Sequence, residues 1–130
     1  MFNSIDISTS GLTAQRVRMN TVAMNMANID SDNADGTGPF QRRSVQFAEL
    51  LGKNGEQGVA VTDIVKEKGF RTVHNPDHPR ADEKGNVKMP AIDHMTEMVN
   101  MMEAQRAFEA NIAAMEVSKG MINSSLRLLA

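Results

Sequence analysis

Cysteine, tryptophan and tyrosine are absent from this 130-residue chain, phenylalanine occurs five times and proline four. Without cysteine there is no disulfide, no cysteine-based zinc site and no thiol nucleophile. That absence suits the cytosol and equally suits export into an oxidising compartment. The N-terminus, MFNSIDISTSG, has no basic stretch followed by an unbroken apolar one, and no apolar run of about 18 residues occurs, so neither a cleaved signal peptide nor a membrane span is expected.

Charge of one sign is also lacking. The chain has 14 basic and 16 acidic residues, a net charge of −2. Residues 31–90 carry the two signs in equal number, residues 1–30 balance, and the last stretch is mildly acidic. With no basic patch and no aromatic platform on which bases could stack, nucleic acid is not an expected partner.

Catalytic signatures are missing as well. No Gly-x-Ser-x-Gly elbow and no glycine-rich phosphate loop after a strand can be found. His74 and His78 stand four apart, which aligns metal ligands only on a helix, and Pro76 and Pro79 exclude a helix there. Asp82 and Glu83 lie in a polar stretch with nothing apolar to shift a pKa. The expectation is a protein that is not an enzyme, with no cofactor, no metal and no small-molecule substrate.

What the sequence does have is methionine, 11 residues of it, an unbranched side chain suited to surfaces that meet several partners. It also has periodicity. Ile5, Ser8, Leu12, Gln15, Met19, Val22, Met26 and Ile29 follow at alternating intervals of three and four residues. That spacing predicts a helix over 4–29, capped by Ser4 and ended by the polar run from Asn28 to Asn33.

The same intervals link Met98, Met101, Gln105, Phe108, Ile112, Met115, Lys119, Ile122, Leu126 and Leu129. They predict a second helix over 93–129, with Asp93 as its N-cap. A further row, Ala107, Ala114, Met121 and Leu128, runs beside it, and two stripes on one helix imply two packing partners.

Between the helices, Asp35-Gly36-Thr37-Gly38-Pro39 and Asn75-Pro76-Asp77-His78-Pro79 are turn chemistry, and Lys84-Gly85-Asn86 can close a hairpin. Short strands are predicted over 44–50, 59–66, 70–73 and 87–89. The fold class expected is mainly α: long N- and C-terminal helices paired as a coiled-coil stalk, with a small β-rich or irregular insert. The segments are 1–30, 31–90 and 91–130.

By length, the second helix overhangs the first by roughly 16 Å, a surplus that calls for another partner, most simply a second copy of the chain. A soluble coiled-coil adaptor or oligomerisation module is the alternative at this stage.

Particular residues narrow this. Ser10-Gly11-Leu12-Thr13-Ala14-Gln15-Arg16-Val17-Arg18-Met19-Asn20 with Asn25-Met26-Ala27-Asn28 resembles the N-terminal signature of the flagellar basal-body rod proteins. The stretch Asn75-Pro76-Asp77-His78-Pro79-Arg80-Ala81-Asp82, the residues Gly85, Val87 and Pro90, and the runs Glu97-Met98-Val99-Asn100-Met101 and Arg106-Ala107-Phe108-Glu109-Ala110-Asn111 extend the resemblance, which is nearest to the proximal rod proteins. Ser31 stands where the family has Thr, Gly38-Pro39-Phe40 replaces its Gly-Tyr, and His74-Asn75 stands where an aromatic usually precedes the turn.

The resemblance implies a structural subunit of the bacterial flagellum, made in the cytoplasm and exported by the flagellar type III system without a cleaved signal. In the periplasm it would polymerise helically into the rod and transmit torque. Its partners would be copies of itself, other flagellar rod proteins, and the export-gate and MS-ring side of the basal body. Phe47 and Leu51 resemble the family's export signal. The residues expected to form the assembly seam are Ile5, Leu12, Met19, Val22, Met26, Ile29, Met98, Met101, Phe108, Ile112, Met115, Ile122, Leu126 and Leu129.

Overall fold

The computed structural model describes residues 2–33, 36–52, 55 and 57–130. Asp35, the first residue of one expected turn, lies outside them. The order of elements is α1 (Phe2–Ala27), β1 (Arg43–Leu51), β2 (Gln57–Lys66), β3 (Phe70–His74), β4 (Asn86–Pro90) and α2 (His94–Leu129).

This corrects the expectation of a mainly α chain. Helices of 26 and 36 residues make up about half of it, but strands of 9, 10, 5 and 5 residues form two antiparallel sheets, so the fold is mixed α/β. The physical reason is that the longer hairpin does not need a core of its own. It lies along α1, whose Ala14 and Thr21 are buried on a flank of the helix pair, and borrows that flank as its apolar support.

β1 and β2 pair from Arg43 opposite Lys66 to Leu51 opposite Gln57, with the register shifting between Gln46 and Phe47. Thr62 is the extra residue there, and its hydroxyl donates to the Gln46 carbonyl at 3.2 Å. β3 and β4 pair from Phe70 opposite Pro90 to His74 opposite Asn86. The two turn motifs around 75–79 and 84–86 therefore belong to one hairpin connection. Gly85 sits there at φ 75°, where a Cβ would lie 3.0 Å from Pro76 Cγ, so both the backbone and the space favour glycine.

This shorter hairpin is tied to the stretch after α1. Arg80 Nη1 lies 2.9 Å from Asp32 Oδ2, and the Phe40 amide donates to the Ser31 carbonyl at 2.9 Å. Val87, Pro90, Phe40 and Ile92 are buried.

α1 begins earlier than expected, so Ser4 lies inside the helix and not at its cap. α2 begins as expected: Asp93 is its N-cap, accepting from the Thr96 amide at 2.9 Å and the Thr96 hydroxyl at 2.6 Å. Among the described residues no helix is long and apolar enough to cross a membrane.

Candidate assembly surface

The two helices pack antiparallel along a ladder of small and polar residues. Ser4 Oγ donates to Ser118 Oγ at 3.1 Å, and a Cβ on Gly11 would lie 2.8 Å from Asn111 Nδ2. Arg18 pairs with Glu103 at 3.0 Å, and Asn25 donates to Glu97 at 3.0 Å. Each step of seven residues along α1 is answered by a step of six to eight back along α2. Small side chains here let the helix axes approach closely, and the polar groups among them find partners across the seam.

On α2 the residues facing α1 are therefore Glu97, Met101, Ala104, Phe108, Asn111, Met115, Ser118 and Ile122, a heptad seam whose members are all buried or half-buried. The apolar pattern had coupled Met101, Phe108, Met115 and Ile122 with Met98, Gln105, Ile112, Lys119 and Leu126. The structure couples them with the row one residue earlier, a rotation of about 100° for those members.

The displaced row acquires another position. Ile5, Leu12, Met19 and Met26 on α1, and Met98, Gln105, Ile112, Lys119 and Leu126 on α2, flank the seam on the same side of the antiparallel pair. The opposite side is the one the long hairpin covers: Thr21 of α1 and Asn100 of α2 line one groove with Ser44, Val45 and Phe47 of β1.

The free side of the pair is thus an apolar ribbon. Its α1 members are half-buried, while Met98 is 41% and Ile112 38% exposed, and Met95 and Met102 widen it at one end. Among the other expected seam residues, Val22 is buried and Ile29 half-buried. Leu126 is exposed, and Leu129 is 86% exposed, because α2 runs on past the contact of Ser118 with Ser4. Leu128, at 89%, and Met121 extend the second row along this projecting stretch. Phe47 and Leu51 are exposed on β1.

The opposite end of the pair holds a polar node that the apolar spacing did not reveal. Glu97 and Asn25 are fully buried. Glu97 Oε1 accepts from Arg42 Nε at 2.7 Å, and its Oε2 accepts from Asn25 Nδ2 at 3.0 Å. Asn25 also pairs with the Arg43 backbone in both directions, donating to its carbonyl at 2.8 Å and accepting from its amide at 2.9 Å. Arg42 Nη1 reaches Glu67 at 2.7 Å. One buried carboxylate thus fastens α1, α2 and the base of the long hairpin. The one sequence signal for it is that Asn25 and Glu97 fall on the same heptad rows as Gly11, Ala104 and Ser118.

The histidines have local roles. His74 Nδ1 is 3.3 Å from Asn86 Oδ1, and His78 Nε2 is 3.7 Å from Asp32. Among the described residues no three His, Asp or Glu side chains converge as a metal site.

Comparison with known proteins bears directly on these surfaces. Residues 83–128, which hold β4 and nearly all of α2, match the family model described as the flagellar basal body rod FlgEFG protein C-terminal. The flagellar basal-body rod protein FlgC of Aquifex aeolicus is 46% identical over 121 residues, spanning 92% of this chain and 90% of that protein. The FlgC proteins of Escherichia coli O6:H1 and Bacillus subtilis are 37% and 34% identical, each over 98% of this chain and 97% of the relative. Identity at that level, sustained through both helices and the strands between them, shows that the chain belongs to the FlgC family of flagellar basal-body rod proteins.

Proposed function

We propose that this rod-family subunit polymerises helically with copies of itself and with other rod proteins, using the apolar ribbon and the projecting end of α2 as its intersubunit surfaces. The observation that carries the reading is that the ribbon lies on the side of the helix pair that the long hairpin leaves uncovered. Burying such side chains stabilises association by about 0.8 kcal/mol per CH₂. Repetition along a heterologous, non-closing interface yields a filament and not a closed dimer, which sets this reading apart from an adaptor. A filament of laterally packed helix pairs is stiff enough to transmit torque.

The proposed route is synthesis in the cytoplasm, export by the flagellar type III system without a cleaved signal, and assembly in the periplasm beside the export-gate and MS-ring side of the basal body. Phe47 and Leu51 are proposed as the export signal; their exposure on β1 supports this. The seam residues turned inward, among them Met101, Phe108, Met115 and Ile122, shape the subunit that presents the ribbon.

Deletion of residues 126–130 tests the use of the projecting end. Because Leu126, Leu128 and Leu129 are mostly exposed in the subunit, the truncated chain should keep its urea midpoint and lose assembly, measured by sedimentation. A truncated chain that polymerises as well as the intact one would remove this end from the interface.

A further inference from the structure

The seam that pairs the helices does not define their axial register. α1 has 26 residues and α2 has 36, so α1 can move by one heptad toward the C-terminal end of α2, about 10 Å, without losing helix overlap. In the displaced pairing Ser4 would face Ser125, Gly11 would face Ser118, Arg18 would face Asn111 and Asn25 would face Ala104. Each is again a pairing of small or polar residues. By the same register Val22 would move from the level of Met101 to that of Phe108, both large and apolar. Burial along the seam therefore changes little between the two registers.

The node at the start of α2 changes a great deal. A displacement of one heptad takes Asn25 away from Glu97, and Arg42 goes with it, because the Asn25 side-chain amide holds the Arg43 backbone by two hydrogen bonds. Glu97 would lose both of its partners and, because α1 ends at Ala27, would pass from the seam into water. Those two hydrogen bonds to a charged acceptor, stronger than neutral ones, are made in the observed register and not in the displaced one.

We propose that the Asn25–Glu97–Arg42 node is a register latch, which selects the observed helix pairing over a second one displaced by a heptad. It gives the subunit two discrete helix registers separated by an axial step. Such a step would let neighbouring copies adjust along the filament axis while keeping the same lateral contacts. The latch is a property of the single chain and stands whether or not the ribbon is the rod interface.

The cysteine-free sequence allows a direct test by disulfide trapping. A chain with Ser4→Cys and Ser118→Cys reports the observed register, and one with Ser4→Cys and Ser125→Cys reports the displaced one, since a bridge needs Cα atoms within about 7 Å. Each is oxidised mildly in an excess of cysteine-free chain, so that the bridge formed is intramolecular. With Glu97 present, the 4–118 bridge should dominate. In Glu97→Ala chains the ratio of the 4–125 bridge to the 4–118 bridge should rise by about tenfold or more. A ratio that stays unchanged in a Glu97→Ala chain of normal helicity overturns the proposal, and so does equal bridging when Glu97 is intact. Should Glu97→Ala fail to fold, Glu97→Gln decides on the same criterion, because it keeps the shape and removes the charge. Because an unfolded chain would form the two bridges about equally, the ratio is read only under conditions where circular dichroism shows the helicity of the unchanged chain.

Discussion

The two ends of the helix pair are built on opposite terms. At the start of α2 a buried carboxylate, an amide and a guanidinium bind three elements together, and Asp93 caps the helix just before them. At the far end Ser4 and Ser118 meet through hydroxyls, and beyond them α2 projects with its leucines exposed. The first end fixes the subunit's own geometry. The second offers apolar surface that the subunit does not use. The contrast teaches that the two ends of one helix pair can be fastened unequally, by a buried polar node at the start of α2 and by a single hydroxyl contact at the far end, where apolar side chains stay exposed.

The comparison breaks most visibly if one side chain is removed from each end. Glu97→Ala leaves Arg42 and Asn25 without their buried acceptor and should lower stability by about 3–5 kcal/mol in urea unfolding. Ser118→Ala at the other end loses one part-buried hydroxyl contact and should cost only about 0.5–1.5 kcal/mol. Equal effects would mean that the two ends are equally fastened.

A smaller effect sharpens the same contrast through pH. The Thr96 hydroxyl, followed by the Thr96 amide, holds the Asp93 carboxyl below its ordinary value of 3.8. A folded-state pKa below the unfolded one means that the cap's contribution is fully present above the unfolded value and is lost as pH falls through the folded one. Asp93→Ala should therefore flatten the acid side of the stability profile below about pH 4 and leave its neutral side parallel to that of the unchanged chain. An acid limb of unaltered slope would show that Asp93 is not the group responsible.

Much of this architecture was legible in the sequence. Both helices, the Asp93 cap and all four strands follow from periodicity, turn residues and alternation, because each is set by local chemistry. The facing of the helices was not. Hydropathy favours Met98, Ile112 and Leu126 as interior, yet Glu97, Ala104, Asn111 and Ser118 occupy the seam because glycine and serine on α1 let the axes come close. Nor could local pattern show that Asn25 would satisfy the Arg43 backbone, since those residues meet only once the hairpin folds back on α1. The mixed fold class escapes the sequence for the same reason: the strands are too poor in large apolar residues to stand alone, and α1 supplies what they lack.

The central claim is that residues adjacent in sequence on α2 serve different surfaces, the seam row inside the subunit and the ribbon row between subunits. Placing an aspartate in each row and measuring both urea unfolding and sedimentation tests it most directly. Ala104→Asp puts a charge where there is no exposure at all and should unfold the subunit, whereas Ile112→Asp, at a position already 38% exposed, should leave the unfolding midpoint nearly unchanged and abolish filament formation. An Ile112→Asp chain that assembles normally, or one that unfolds as Ala104→Asp does, would contradict the account.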